Sequence, residues 1–219
     1  CVYGEGDIES NSRGFGDRIP VPFHSASNGG NNVLIKNHGE FRFSDATQET
    51  GLNYQNNRWS FAASWEDFDK DGDLDAYVVN YGGANKLYKN KGNNGAGVWQ
   101  GFDNPVNLTV GESGSDTGTQ NSLKVEAADF DADGDLDLYV LNEEQRDSLF
   151  LNDGDGTFTA ATMITSEDAL KSKDIAVGDF NADGKLDVFI VNNGKTNEDE
   201  ANRIRLFSNG FPNSVAPTI

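Results

Sequence analysis

Three short loops of this chain carry acidic side chains at alternate positions, a spacing suited to holding a hard divalent cation. They are DFDKDGDLD from Asp67 to Asp75, DFDADGDLD from Asp129 to Asp137, and DFNADGKLD from Asp179 to Asp187. Ca²⁺ takes about six to eight oxygen ligands at roughly 2.3–2.6 Å. Positions 1, 3, 5 and 9 of each loop supply side-chain oxygens, and position 7 supplies a backbone carbonyl. The expected ligands are therefore Asp67, Asp69, Asp71 and Asp75 with the carbonyl of Asp73, and Asp129, Asp131, Asp133 and Asp137 with that of Asp135. The third set is Asp179, Asn181, Asp183 and Asp187 with the carbonyl of Lys185. A lysine side chain does not ligate a cation, which supports the carbonyl at position 7. Glycine at position 6 (Gly72, Gly134, Gly184) permits a backbone turn that a Cβ opposes. Three Ca²⁺ ions are expected.

Two carboxylates about 4 Å apart repel by about 4 kcal/mol at an effective dielectric near 20. Several on one loop rival the whole stability of a domain, so a cation must fill the loops or they unfurl. An EF-hand is excluded because its position-12 glutamate is replaced by Val78, Val140 and Ile190. A carboxylate pair for glycoside hydrolysis fits poorly with three equivalent copies. A metal-free solvated turn leaves the triplicate spacing unexplained.

The elements around the loops repeat as well. Asp67–Asn80, Asp129–Asn142 and Asp179–Asn192 align without gaps, with starts 62 and 50 residues apart. That is close to the ~40–50-residue period of propeller blades. An apolar run precedes each loop (Phe61–Trp65, Val125–Ala128, Ile175–Gly178), and a β-branched, aromatic run follows it (Leu74–Val79, Leu136–Val140, Leu186–Val191). A hairpin pattern comes next: NKLYKNKG at Asn85, DSLFLNDGDGTF at Asp147 and RIRLFSNGF at Arg203. A fourth copy, NNVLIKNHGEFRF, begins at Asn31 with no acidic loop before it. Each unit reads strand, acidic loop, strand, hairpin, strand, the make-up of a four-stranded blade. Only Ser166–Leu170 suggests a turn of helix. The fold class is all-β, a partial or small β-propeller. Residues 1–30 form an N-terminal segment without repeat signal, and 31–56 a half blade. Blades cover about 57–118, 119–167 and 168–211, and 212–219 is a tail or linker.

Composition agrees. The 219 residues hold 36 acidic against 17 basic side chains, a formal charge of −19 that repels nucleic acid and anionic lipid. No apolar run is long enough to insert in a membrane. One cysteine, Cys1, excludes an internal disulfide. Its position resembles that of the lipidated cysteine of a mature bacterial lipoprotein; the simpler expectation is that the numbering starts there. Without an initiator Met or a signal-peptide hydrophobic region, the chain is expected to be processed or truncated.

Between Asn31 and Phe211 these motifs resemble the FG-GAP/VCBS repeat of integrin α-subunit heads and many extracellular proteins. The resemblance implies a propeller with calcium on the loop between the first two strands of each blade, and a role in adhesion, sugar binding or assembly outside the cytoplasm. The blade count departs from that pattern: three and a half units fall short of a ring. Three explanations stand. The chain is a piece of a longer protein, the N-terminal hairpin completes the last blade of a small ring, or open edges pair with other copies.

Trp59, Tyr81 and Trp99 lie near loops and are candidates for stacking on a glycan, whereas Trp65 is expected in the core. Asn107 opens the only glycosylation sequon, Asn107–Leu108–Thr109. His24 and His38 are expected at the surface, and no catalytic constellation or phosphate loop occurs. The leading expectation is a non-enzymatic, calcium-dependent extracellular module that binds glycan or protein. The alternatives are a structural subunit of a surface or filamentous assembly, and an accessory propeller of a larger secreted enzyme.

Overall fold

A computed structural model describes residues 30–54, 58–108, 120–161, 170–192 and 205–207. Every regular element among them is a β-strand. The half blade comes first, a hairpin of β1 (Ile35–Asn37) and β2 (Phe43–Asp45). The first full blade is a meander of β3 (Trp59–Glu66), β4 (Asp75–Gly83), β5 (Asn85–Tyr88) and β6 (Val106–Leu108). The second repeats it with β7 (Gln120–Ala128), β8 (Asp137–Gln145), β9 (Ser148–Asn152) and β10 (Phe158–Ala160). The third contains β11 (Leu170–Gly178), β12 (Asp187–Asn192) and β13 (Arg205–Phe207). This is the architecture of a partial β-propeller. The turn of helix expected at Ser166–Leu170 lies outside the described residues, except that Leu170 opens β11.

The blades are stitched by short pairings. The start of β7 pairs with the end of β4 (Gln120 with Gly83, Asn121 with Tyr81), and the start of β11 with the end of β8 (Lys171 with Glu143). Each innermost strand is bulged just after a serine: Ser60, Ser122 and Ser172, each seven residues before its acidic loop. These serines serve a polar seam. Ser60 Oγ donates to Asn80 Oδ1 at 2.8 Å, Ser122 Oγ to Asn142 Oδ1 at 2.7 Å, and Ser172 Oγ to Asp147 Oδ2 at 3.1 Å. Buried polar groups persist because partners satisfy them; the first two bonds tie neighbouring strands of one blade, and the third ties the third blade to the second.

Between blades the core is apolar. Phe68, Tyr77, Val79 and Leu87 of the first blade pack on Val125, Leu138, Val140 and Phe150 of the second. Phe130, Tyr139, Leu141 and Leu149 then pack on Ile175, Val188 and Ile190 of the third. Burying each such large side chain contributes about 1.5–3 kcal/mol. Alternation along β4, β8 and β12 sends successive side chains to the previous and the next blade.

Trp65, expected in the core, is 41% exposed. Alternation along β3 turns Ala63 and Trp65 toward the side of the first blade that the half blade, with Phe102, covers in part.

Candidate metal centre

The acidic loops join the first and second strands of each blade, β3 to β4, β7 to β8 and β11 to β12, and all three curl in the same way. The carboxylate at position 1 accepts two backbone N–H groups. Asp67 takes those of Asp71 and Gly72 at 3.1 and 3.0 Å, and Asp129 those of Asp133 and Gly134 at 3.1 and 3.0 Å. Asp179 takes those of Asp183 and Gly184 at 3.1 and 2.9 Å. Position 6 is a glycine with φ of +92°, +93° and +85° in the three loops. Position 4 was not legible from the sequence: Lys70, Ala132 and Ala182 take φ of +58°, +64° and +60°. Non-glycine residues rarely adopt this left-handed backbone, which costs them roughly 1 kcal/mol or more. The N–H bonds to position 1 offset that cost.

Position 9 is fully buried in each loop. Asp75 accepts the N–H of Phe68 at 3.2 Å and of Asn90 at 2.7 Å; Asp137 accepts those of Phe130 at 2.7 Å and Asn152 at 2.9 Å. Asp187 accepts that of Phe180 at 2.9 Å. The residue expected to close the cage therefore also ties the loop to its blade. Burial pushes Asp75 and Asp137 up to about 6 despite those N–H bonds. Burial, then neighbouring carboxylates, also raise Asp69 and Asp131. At position 7 the side chains of Asp73 and Asp135 lie over Gly92 and Gly154, where an added Cβ would come within 2.2 and 2.6 Å of a carboxylate oxygen.

Oxygens of Asp67, Asp69 and Asp71 lie within 4.8 Å of one another, as do those of Asp129, Asp131 and Asp137. Ligands on opposite sides of one ion at about 2.4 Å are about 4.8 Å apart, so both groups match a calcium-sized cage. Asp69 Oδ1 is buried and accepts no hydrogen bond, an acceptor that a cation would satisfy. The third loop differs. Asn181 donates from Nδ2 to Asp183 Oδ2 at 3.1 Å while its Oδ1 accepts the Asp183 N–H at 2.8 Å. Among the described residues, only the first two loops gather three carboxylates this closely.

Lysines tie the first loop to the second blade. Lys70 pairs with Asp135, and Lys89 donates to the carbonyl of Asp155 at 2.5 Å while lying 3.9 Å from Asp69 Oδ2. Asn90 and Asn152, also missed from the sequence, hold the hairpins against the loops. Asn90 donates to the carbonyl of Leu74, and Asn152 to those of Leu136 and, across the blade joint, Phe68. Their place in the recurring K-N-x-G and L-N-D-G turns was the available signal.

The sequence matches the FG-GAP-like repeat model over residues 67–140 and 129–190, the stretch that contains all three loops. The chain belongs to the FG-GAP-like repeat family. No curated protein matches it. Within this family frame, the acidic clusters are sized for a metal ion. No helix among the described residues is long and apolar enough to cross a membrane.

The other candidates separate. Tyr81 is buried at 4% exposure against Phe61 and offers no face to a sugar, a correction to its expected role. It is the end of β4, not a loop, and the pairing with β7 covers it. Trp59 and Trp99 are half-buried. Trp99 donates from Nε1 to Asn90 Oδ1 at 2.7 Å, packs edge-on to Phe102 and lies beneath Lys36. Asn107 is exposed on β6, with its amide oxygen accepting from Lys86 Nζ. His38 is exposed, its Nε2 2.7 Å from Ser44 Oγ; His24 and Cys1 lie outside the described residues.

Proposed function

We propose that this is a calcium-binding, non-enzymatic recognition module that acts outside the cell, with one ion in each acidic loop and a glycan or protein as ligand. The observation that carries the reading is the convergence of carboxylate oxygens within 4.8 Å in two loops, one of them with a buried oxygen that accepts no hydrogen bond. In the bound state the first loop holds its ion through Asp67, Asp69, Asp71, Asp75 and the Asp73 carbonyl. The second uses Asp129, Asp131, Asp133, Asp137 and the Asp135 carbonyl, and the third Asp179, Asn181, Asp183, Asp187 and the Lys185 carbonyl. Neutralised loops keep their curl and hold the turns between blades rigid, and a pre-ordered loop surface binds with less entropic loss. Membership of a family typical of extracellular proteins supports the location.

Calorimetric titration of the chelator-treated protein tests the metal. Saturable calcium binding that raises the melting temperature supports the reading. Failure of calcium to bind or stabilise overturns it. A glycan array and a pull-down with extracellular proteins, both in calcium, test the ligand; silence in both refutes the recognition role while leaving the metal sites standing.

A further inference from the structure

The two internal joints follow one pattern. Phe68, Tyr77 and Val79 press on Val125, Leu138 and Val140; Phe130, Tyr139 and Leu141 press on Ile175, Val188 and Ile190. The equivalent donor face of the third blade is Phe180, Phe189 and Val191. There Phe180 is 52% exposed, against 1% for Phe68 and 4% for Phe130, and Val191 is 38% exposed, against 0% for Val79 and Leu141. At the other end of the described blades the equivalent receiving positions are Ala63, Ala76 and Val78, of which the two alanines are smaller than both of their counterparts. They line a cavity of about 280 Å³ together with Phe61, Trp65 and Tyr88. The half blade explains this space. Leu34 of the half blade stands at the position of Leu87 and Leu149, but among the described residues no inner strand pair brings an aromatic and aliphatic face beside it.

We propose that copies of this chain join head to tail, the Phe180–Phe189–Val191 face of one entering the Ala63–Ala76–Val78 cavity of the next. An aromatic-led face set on an aliphatic one at equivalent repeat positions, a match already made twice inside the molecule, specifies the occupant as a blade of this kind, and the chain carries both halves. The contact is heterologous and extends rather than closing on itself as a pair. β1 and β13 hold the same place in their blades, so the joint forms with β1 replacing β13 along β12. That pairing sets Ile35, Leu34 and Val33 opposite Val188, Phe189 and Ile190, by equivalence with β4 and β5. It covers Val33 and Ile35, which are now exposed. The inference does not depend on what the acidic loops bind.

Sedimentation velocity across a concentration series, at about 0.15 M salt to screen the negative charge, tests the joint with two variants. Phe180→Glu removes the donor face and Ala63→Arg fills the receiving cavity; both positions are exposed. The wild type is expected to grow in size with concentration, and each variant alone to stay monomeric. An equimolar mixture of the variants is expected to give a dimer and nothing larger, because one intact donor meets one intact cavity. A wild type that stays monomeric, variants that still associate, or a mixture that gives no dimer overturns the proposal. If circular dichroism shows that either variant has lost its β structure, Val191→Lys and Ala63→Gln take their places with the same expectations.

Discussion

Lys70, at the fourth position of the first acidic loop, pairs with Asp135, at the seventh position of the second. One loop thus lends a positive charge to its neighbour, with Lys89 adding a second near Asp69. Both lysines are peculiar to this joint: Ala132 and Leu151 stand at the equivalent places of the second blade.

Removing the bridging charge should therefore favour cations. Lys70→Gln is expected to raise calcium affinity at the first two loops about three- to tenfold at low ionic strength, with the gain shrinking toward nothing near 0.5 M salt as surface charges are screened. Titration calorimetry at the two salt concentrations checks this.

The third loop should fill last. Asn181 replaces a carboxylate and Lys185 adds a cation, and cation affinity follows ligand charge. Asn181→Asp is expected to tighten the weakest of three calorimetric phases and leave the others unchanged. A variant whose strongest phase moves instead would contradict the assignment.

Asp147 gives the protein a dependence on pH. It is buried at the joint between the second and third blades, accepting the Asn142 N–H and the Ser172 hydroxyl, and burial pushes its carboxyl up to about 7. A carboxyl raised above its unfolded value binds more protons when folded, so its stabilising contribution is complete near pH 4 and is lost as pH rises toward 7. Asn85 holds the equivalent place in the first blade, taking the Asn80 N–H at 2.8 Å and donating to Ser122 Oγ at 2.9 Å. Asp147→Asn should reproduce that arrangement. It is expected to stabilise the protein by about 2–4 kcal/mol above pH 8 and by little near pH 4. Urea denaturation at both pH values measures the difference.

Asn152 should matter more than any single loop carboxylate for the calcium-free fold. It is buried, donates to the carbonyls of Phe68 and Leu136, and accepts the N–H groups of Gly154 and Gly156. Replacement by Ala leaves several buried groups unsatisfied and is expected to cost about 2–4 kcal/mol, read from the denaturation midpoint. A cost below about 0.5 kcal/mol, the range of ordinary surface changes, would contradict the role given to it.

Much of this was legible because the repeat states each rule several times. Alternation in DAYVVN, DLYVLN and DVFIVN located β4, β8 and β12, and the acidic spacing located the loops between them. What stayed hidden depends on partners distant in sequence. Trp65 looks like a core residue because its strand is apolar, yet its exposure depends on which blade covers it. Tyr81 lies near a loop as the sequence reads, but β4 runs on through Gly82 and Gly83 and pairs with β7. Lys70 in the left-handed region gives no sign in its own side chain. The bulge-forming serines were visible as a serine seven residues before each loop, but their use becomes clear only when Asn80, Asn142 and Asp147 are brought beside them.

Because among the described residues the first and third blades share no strand pairing and each sheet leans chiefly on its immediate neighbour, the molecule is nearly a one-dimensional stack. Heat or force should then fray it from its outer layers inward, the middle sheet melting last because it alone is clasped by a full blade on both sides.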